Sequence, residues 1–227
     1  MKLNTNNNVY ILVYASVMVI IVAFLLAFVS SSLKETQENN VRKDVKKQIL
    51  SALNIEATDA TVDGIYEKVV KDNLANGAEL TEYTEDFKTS YNGEIKAGKF
   101  HVFVATLDNG ETKYVFPVYG AGLWGPIWGY VAVNDDKTSV YGVSFNHESE
   151  TAGLGGEITN KEKFQAQFKT KKVLDENGEV KLTVIKNGTA NGDNECDGVA
   201  GATLTSKGVG EMLLKCLDNY KEFLNVK

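Results

Sequence analysis

The stretch FHVFVATLDNGETKYVFPVYG, Phe100–Gly120, decides the fold. Two runs rich in Val, Phe and Tyr flank Asp108-Asn109-Gly110, and Asn-Gly is the dipeptide that tight hairpin turns favour. The reading is a β-hairpin with strands Lys99–Leu107 and Lys113–Tyr119. The pattern returns directly afterwards, where Trp128–Asn134 and Thr138–Asn146 flank Asp135-Asp136-Lys137. VKLTVIK, Val180–Lys186, reads as one further strand. Helical periodicities lie around these strands. Val41, Val45, Ile49, Ala52 and Leu53 share one face of a helix over Val41–Ile55. IYEKVVKDNL, Ile65–Leu74, reads as a second, short helix. Thr159-Asn160 caps a third that ends near Phe168, with Phe164 and Phe168 on one face. Val209, Met212, Leu213, Cys216, Leu217, Tyr220 and Phe223 stripe the last. Paired strands with helices outside them give an α+β domain built on an antiparallel sheet.

Val9–Val29, VYILVYASVMVIIVAFLLAFV, holds twenty-one residues without a charge. That is long enough to cross a bilayer core as a helix. It is too long for the apolar region of a cleaved signal peptide, and VSSSLKET after it is a weak cleavage site. The expected organisation is a tail over 1–8, a single transmembrane helix over 9–29, a stalk or first helix over 30–60 and a globular domain over 61–227, with the lipid bilayer as a partner. Charge leaves the orientation open. Lys34, Arg42, Lys43, Lys46 and Lys47 follow the helix and only Lys2 precedes it, which favours a cytoplasmic domain. A short tail and one long helix also tether many exported domains.

The 227 residues are 43% apolar, enough for one domain with a sizeable core, and the net charge of −6 argues against a nucleic-acid partner. Cys196 and Cys216 are too few for a disulfide framework and lack metal-site spacing. Cys216 falls on the apolar face of the last helix, and a Cys196–Cys216 bridge stays open. No dinucleotide fingerprint or Walker loop is present, and two histidines make a catalytic triad hard to assemble.

Three glycine-rich loops remain. GAGLWGPIWGY, Gly120–Tyr130, packs four glycines and two tryptophans into eleven residues; alone it reads as a turn between strands. HESETAGLGGE, His147–Glu157, groups His147, Glu148 and Glu150, but the spacing fits no metal signature and reads as a solvated strand end. The third, CDGVAGATLTSKGVGEMLLKC, Cys196–Cys216, runs from a small-residue turn into a helix. Asp197 and the hydroxyls of Thr203, Thr205 and Ser206 supply at least an N-cap. A helix N-terminus also offers free N–H groups and a positive dipole end to a phosphate, and Gly198, Gly201 and Ala202 permit close approach.

Asp197-Gly198-Val199-Ala200-Gly201-Ala202-Thr203 resembles the flavinylation motif of membrane-anchored FMN-binding domains: Asp, two residues, Ser or Thr, then Gly-Ala-Thr. It departs from that motif at Ala200. Gly122-Leu123-Trp124 with the following GPIWGY, and Glu150-Thr151-Ala152-Gly153-Leu154-Gly155, resemble loops of the NqrC family of sodium-translocating NADH:quinone oxidoreductase subunits, with Ala152 in place of Pro. The three motifs occur in the family's order, and the resemblance covers nearly the whole chain, from the N-terminal anchor through the three loops to the C-terminal helix. The resemblance implies FMN joined by a phosphodiester to Thr203. It implies cofactor contacts from Asp197, Gly201, Ala202, Leu204 and Thr205, and from Thr151, Gly153, Leu154, Gly155, Leu123 and Trp124. It further implies an electron-relay subunit without complete activity alone, matured by a flavin transferase and docked to other subunits of a respiratory complex. The flavin domain would lie on the periplasmic side of a bacterial inner membrane. No catalytic acid, base or metal is expected. Alternatives are the RnfG component of an Rnf-type ion-translocating complex, a stand-alone flavinylated shuttle, and an anchored non-redox binding module in which Asp197–Ser206 is only a cap.

Overall fold

The structure is a computed structural model and describes residues 7–226. A single helix, α1 (Asn8–Ala52), carries the uncharged run and is, among the described residues, the one helix long and apolar enough to cross a membrane. The chain divides into two compact units, one ending at Arg42 and one beginning at Lys43. The second unit therefore begins within the segment read as a stalk. From Val45 onward α1 is a core helix, with Val45, Ile49, Leu50 and Ala52 buried, and Leu53 is buried just past its end.

The second unit contains a six-stranded antiparallel sheet. In chain order come α2 (Val62–Val69), β1 (Val70–Asn76), β2 (Glu79–Glu82), α3 (Asn92–Lys96), β3 (His101–Thr106), β4 (Thr112–Ala121), β5 (Pro126–Val133) and β6 (Val140–His147). The sheet order is β2-β1-β3-β4-β5-β6, so the hairpins read from the sequence form its centre and one edge. Two short 3-10 helices follow at Gly155–Thr159 and Gln165–Phe168. After them come β7 (Thr183–Ile185), β8 (Glu195–Asp197), α4 (Thr203–Asp218) and α5 (Lys221–Leu224). The short β7 and β8 pair in parallel as a separate two-stranded ladder.

Strand alternation sorts the core into two layers. Val102, Phe116, Val118, Ile127 and Val131 face α4 and α5, whose Val209, Met212, Leu213, Leu217, Tyr220 and Phe223 fill one cluster. Their neighbours Phe103, Ala105, Val115, Tyr130 and Ala132 face the other way, against α2 and the Val45–Leu53 turns of α1. The α+β class with a central antiparallel sheet and flanking helices is the architecture observed.

Some local expectations fail. Ile65–Leu74 is not one helix: α2 ends at Val69, and Val70–Leu74 pair with Ala105–His101 of β3. Asp72 and Asn73 are poor helix formers, and the sheet's open edge offers the backbone a ladder instead. β2, with the polar sequence ELTE, gives no strand signal because it is an edge strand with little to bury. Residues 160–168 form no α-helix, although the Asn160 carboxamide does cap the turn by accepting from the Lys163 N–H at 3.0 Å. Only the middle of Val180–Lys186 becomes β7. Both cysteines are free and buried, so the bridge left open is not formed.

Candidate cofactor site

The third loop folds as a tied turn in front of α4. Gly201 has a positive φ of 78°, which the turn requires and glycine adopts without strain. The Gly198 N–H donates to the Ile185 carbonyl at 2.8 Å, and the Asn187 side chain donates to the Gly198 carbonyl at 2.7 Å. A Cβ on Gly198 would stand 2.7 Å from that Ile185 oxygen. Asp197 serves the neighbouring loop: its carboxylate accepts the N–H groups of Thr189 and Ala190, both at 2.9 Å. Those backbone donors, Ala190 foremost, hold its carboxyl below the ordinary range against the opposing effect of burial.

The helix starts at Thr203, and its N-cap is Ala202, whose methyl group cannot cap. The hydroxyls read as caps do other work. Ser206 Oγ accepts the Val199 N–H at 2.9 Å and so closes the turn. Thr205 is buried and points inward. Thr203 and Leu204 remain exposed at the helix tip. The first N–H groups of α4, at Thr203, Leu204 and Thr205, have no acceptor among the described residues. Beside Thr203 lies a groove of about 450 Å³, lined by Lys186, Asn187, Ala200, Gly201 and Lys207.

The other two loops meet this helix. Leu154 reaches the turn, where a Cβ on Gly201 would lie 3.1 Å from Leu154 Cδ2. The β4–β5 hairpin touches α4 at Gly208, where a Cβ would collide with the Ala121 carbonyl oxygen. Glu150 joins all three. Its Oε1 accepts the Trp124 N–H at 2.8 Å and its Oε2 accepts the Thr205 hydroxyl at 2.6 Å. Burial would raise this carboxyl, but the Thr205 hydroxyl and the N–H groups of Trp124, Leu123 and Gly125 together hold it below the ordinary range. The expected solvated strand end is therefore wrong for Glu150, which is 7% exposed. Its motif carries Glu150 without revealing this role; a single acidic residue opening a glycine-rich loop is the only signal the sequence holds. Neither histidine is positioned as a general base. His147 Nδ1 accepts the Glu150 N–H at 3.1 Å, and buried His101 lies 2.9 Å from Asp72.

The three loops and the tip of α4 carry exposed apolar side chains. Leu123 is 49% exposed, Trp124 67%, Leu154 43% and Leu204 59%. Apart from Val226, these are the exposed large apolar side chains among the described residues of the second unit. Thr151 and Gly153 are exposed in the same loop as Leu154, and Gly155 is buried against Glu150 and Thr205. The structure joins the three loops at Glu150, Gly201 and Gly208, while the Asp197 carboxylate is turned to the 189–190 loop and the Thr205 hydroxyl to Glu150. The donor set fits an FMN-like group: free helix N–H groups and a hydroxyl suit a phosphate, and a cluster of Leu and Trp suits a flat aromatic ring.

Residues 122–218 match the family model of the FMN-binding domain. The chain is 35% identical over 198 residues to the NqrC subunit of the Na(+)-translocating NADH-quinone reductase of Haemophilus ducreyi, covering 78% of this chain and 77% of that protein. This chain belongs to the NqrC family. The corresponding subunit of Vibrio parahaemolyticus is 30% identical over 204 residues, with 78% of each chain covered. Among solved structures, the NqrC subunit from Parabacteroides distasonis superposes with a TM-score of 0.78 at 36% identity, covering 86% of this chain and 98% of that one. Shewanella oneidensis NqrC gives a TM-score of 0.68 at 26% identity, covering 82% and 97%. Family membership accounts for the co-occurrence of the three loops, since Gly122–Trp124, the Glu150 loop and the α4 turn all lie inside the matched FMN-binding region.

Proposed function

We propose that this protein is the electron-carrying NqrC subunit of a sodium-translocating NADH:quinone reductase, working through an FMN esterified to Thr203. The single observation that carries the reading is exposed Thr203 at the tip of a helix with free N–H groups, on which the loops bearing the exposed Leu123, Trp124 and Leu154 converge through Glu150 and Gly201. A domain that leaves its large apolar residues exposed in one place marks a binding surface. The FMN supplies the redox chemistry; the protein binds, orients and shields it. A phosphodiester at Thr203 would have its charge met by the N–H groups and dipole of α4. Lys207, one turn further along the helix, lines the same groove. The four exposed apolar side chains would supply the surface that shields the bound group from water. Asp197 shapes the loop beside the acceptor, and Thr205 contributes its N–H while its hydroxyl belongs to Glu150. Electron transfer needs no general acid or base.

The family name and the apolar helix support a single-pass protein of a bacterial inner membrane, associated with the other subunits of that complex. On this reading the flavin domain is periplasmic and is loaded by a flavin transferase.

The test is expression of the full chain in a host with a flavin transferase and export machinery, followed by denaturing gel and intact mass. The expected wild-type band fluoresces and is heavier by FMN less water. Thr203→Ala abolishes both signals and Thr203→Ser retains them. A covalent flavin that persists in Thr203→Ala refutes the attachment site. A dark wild-type band that becomes fluorescent in Ala200→Ser assigns the failure to recognition by that transferase.

A further inference from the structure

We infer that Glu150 is the positioning residue of the flavin site, holding the Leu123–Trp124 wall and the Thr203 helix in one frame before any cofactor arrives. This rests on the reading of Thr203 as the flavin acceptor.

An ionised side chain withdrawn from water is tolerated only if its lone pairs are met by donors. Glu150 is met from two separate parts of the chain: the Trp124 N–H in the β4–β5 hairpin at 2.8 Å, and the Thr205 hydroxyl in α4 at 2.6 Å. Ser149 adds a second tie, its hydroxyl donating to the Trp124 carbonyl at 3.2 Å. Both peptide edges of Trp124 are therefore held from the 147–150 segment. The backbone has been cleared for this carboxylate. A Cβ on Gly122 would run into Glu150 Oε1, and one on Gly155 would run into Oε2 and stand 2.6 Å from Thr205 Oγ1. Two glycines from two motifs thus meet one carboxylate, and a third motif supplies the hydroxyl. Burial of Glu150 contrasts with its neighbour Glu148, which is exposed.

A protonated carboxyl could be replaced by glutamine without electrical consequence. A fixed anion beside the cofactor's walls has one, because it opposes the uptake of an electron there. The positioning role and the charge can therefore be separated by experiment.

The full chain is made as wild type, Glu150→Gln, Glu150→Ala and the exposed control Glu148→Gln. Two measurements are taken. The first is amide hydrogen exchange, made in the Thr203→Ala background so that no cofactor contributes. Glu150→Ala is expected to accelerate exchange at Trp124 and its neighbours by at least about tenfold, while Val131 and Val143 in the sheet keep their protection. The second is the flavin's midpoint potential and visible spectrum in the loaded protein. Glu150→Gln is expected to retain the flavin and to move the potential upward, with Glu148→Gln showing the smaller change. Unchanged exchange at Trp124 in Glu150→Ala overturns the proposal. So does an unchanged potential and spectrum in Glu150→Gln. A wild type that carries no flavin refutes the parent reading instead, and that is visible before any Glu150 variant is made. The exchange measurement then still decides whether Glu150 holds the loop.

Discussion

Gly208 sets how closely α4 lies against the β4–β5 hairpin, and Gly208→Ala tests this. Two effects of opposite sign compete. In an exposed helix, replacing Gly by Ala stabilises by about 1 kcal/mol, because glycine loses more backbone freedom on folding. At Gly208 the new methyl would meet the Ala121 carbonyl oxygen and come within 3.5 Å of the Gly122 Cα. The collision is with backbone, roughly 1 Å inside ordinary contact distance. Ala121 cannot simply step aside, because it is paired with Pro126 at the end of the β4–β5 ladder. Either α4 withdraws or the hairpin end bends, at a cost of about 1–3 kcal/mol for overpacking and sometimes more. The overpacking term is the larger, and the net expectation is a loss of up to about 2 kcal/mol. Gly64 in α2 is the internal control. A Cβ there meets nothing within 4 Å, so Gly64→Ala should stabilise by about 0.5–1 kcal/mol. For a domain of this size, 1 kcal/mol shifts the melting temperature by about 2–4 °C. Thermal unfolding of the full chain in detergent, followed by tryptophan fluorescence, reads both variants. Gly64→Ala should melt higher and Gly208→Ala lower than wild type. If both melt higher by similar amounts, the close approach of helix and hairpin is not what selects glycine at 208.

The cysteines and the carboxyl groups give two further expectations. Burial pushes the Cys196 thiol up to about 12 and raises that of Cys216 as well, so neither should react with a maleimide at neutral pH in the folded protein. Intact mass should show no adduct in buffer and two in urea; a disulfide in the native protein, seen as an absence of adducts under both conditions, would contradict the structure. Acid stability follows from Glu150 and Asp136. For both, burial acts to raise the carboxyl, and hydrogen bonds overcome it: Thr205 and the hairpin N–H groups for Glu150, Ser139 and Thr138 for Asp136. A carboxyl whose folded value lies below its unfolded one contributes stability above about pH 4, and that contribution disappears as the pH falls through the folded value. The melting temperature should therefore fall on acidification below about pH 4.5, and less steeply in Glu150→Gln. An identical slope in the variant would show that Glu150 is not ionised in the native state.

The central hairpins were legible because local signals and burial agree there. Asn109-Gly110 fixes the turn, and the alternation through Phe103, Val115 and Phe116 sends each residue to one of two cores. The edge was illegible for the opposite reason. β1 carries Lys71, Asp72 and Asn73, and β2 carries Glu79, Thr81 and Glu82, so neither shows an apolar period, and their pairing is decided by the strand they join. The 3-10 turns of 155–168 replaced a helix because the contacts among Phe145, Phe164 and Phe168 do not require α geometry. In the site, each loop could be read as a motif, and the turn running into a helix could be located. The role of Glu150 could not, since its partner Thr205 is 55 residues away and its other partner is a main-chain N–H that any residue at 124 would present.

The same main-chain tie explains how the apolar walls stay open. Burying a side chain the size of Leu against the protein would gain about 1.5–3 kcal/mol, so an exposed Leu–Trp cluster tends to collapse unless its backbone is fixed. Trp124 is fixed through its main chain alone, by the Glu150 carboxylate on its N–H and the Ser149 hydroxyl on its carbonyl. The indole therefore carries no part of the tether and is left for whatever covers it. Trp128, four residues on, shows the alternative: its indole N–H donates to Gln48 on α1 at 3.0 Å, and its side chain is committed to the fold. Two tryptophans in one loop thus divide the work, one held by its side chain and one held so that its side chain stays free. The proposed flavin surface depends on the second arrangement, which depends in turn on the one buried carboxylate beneath it.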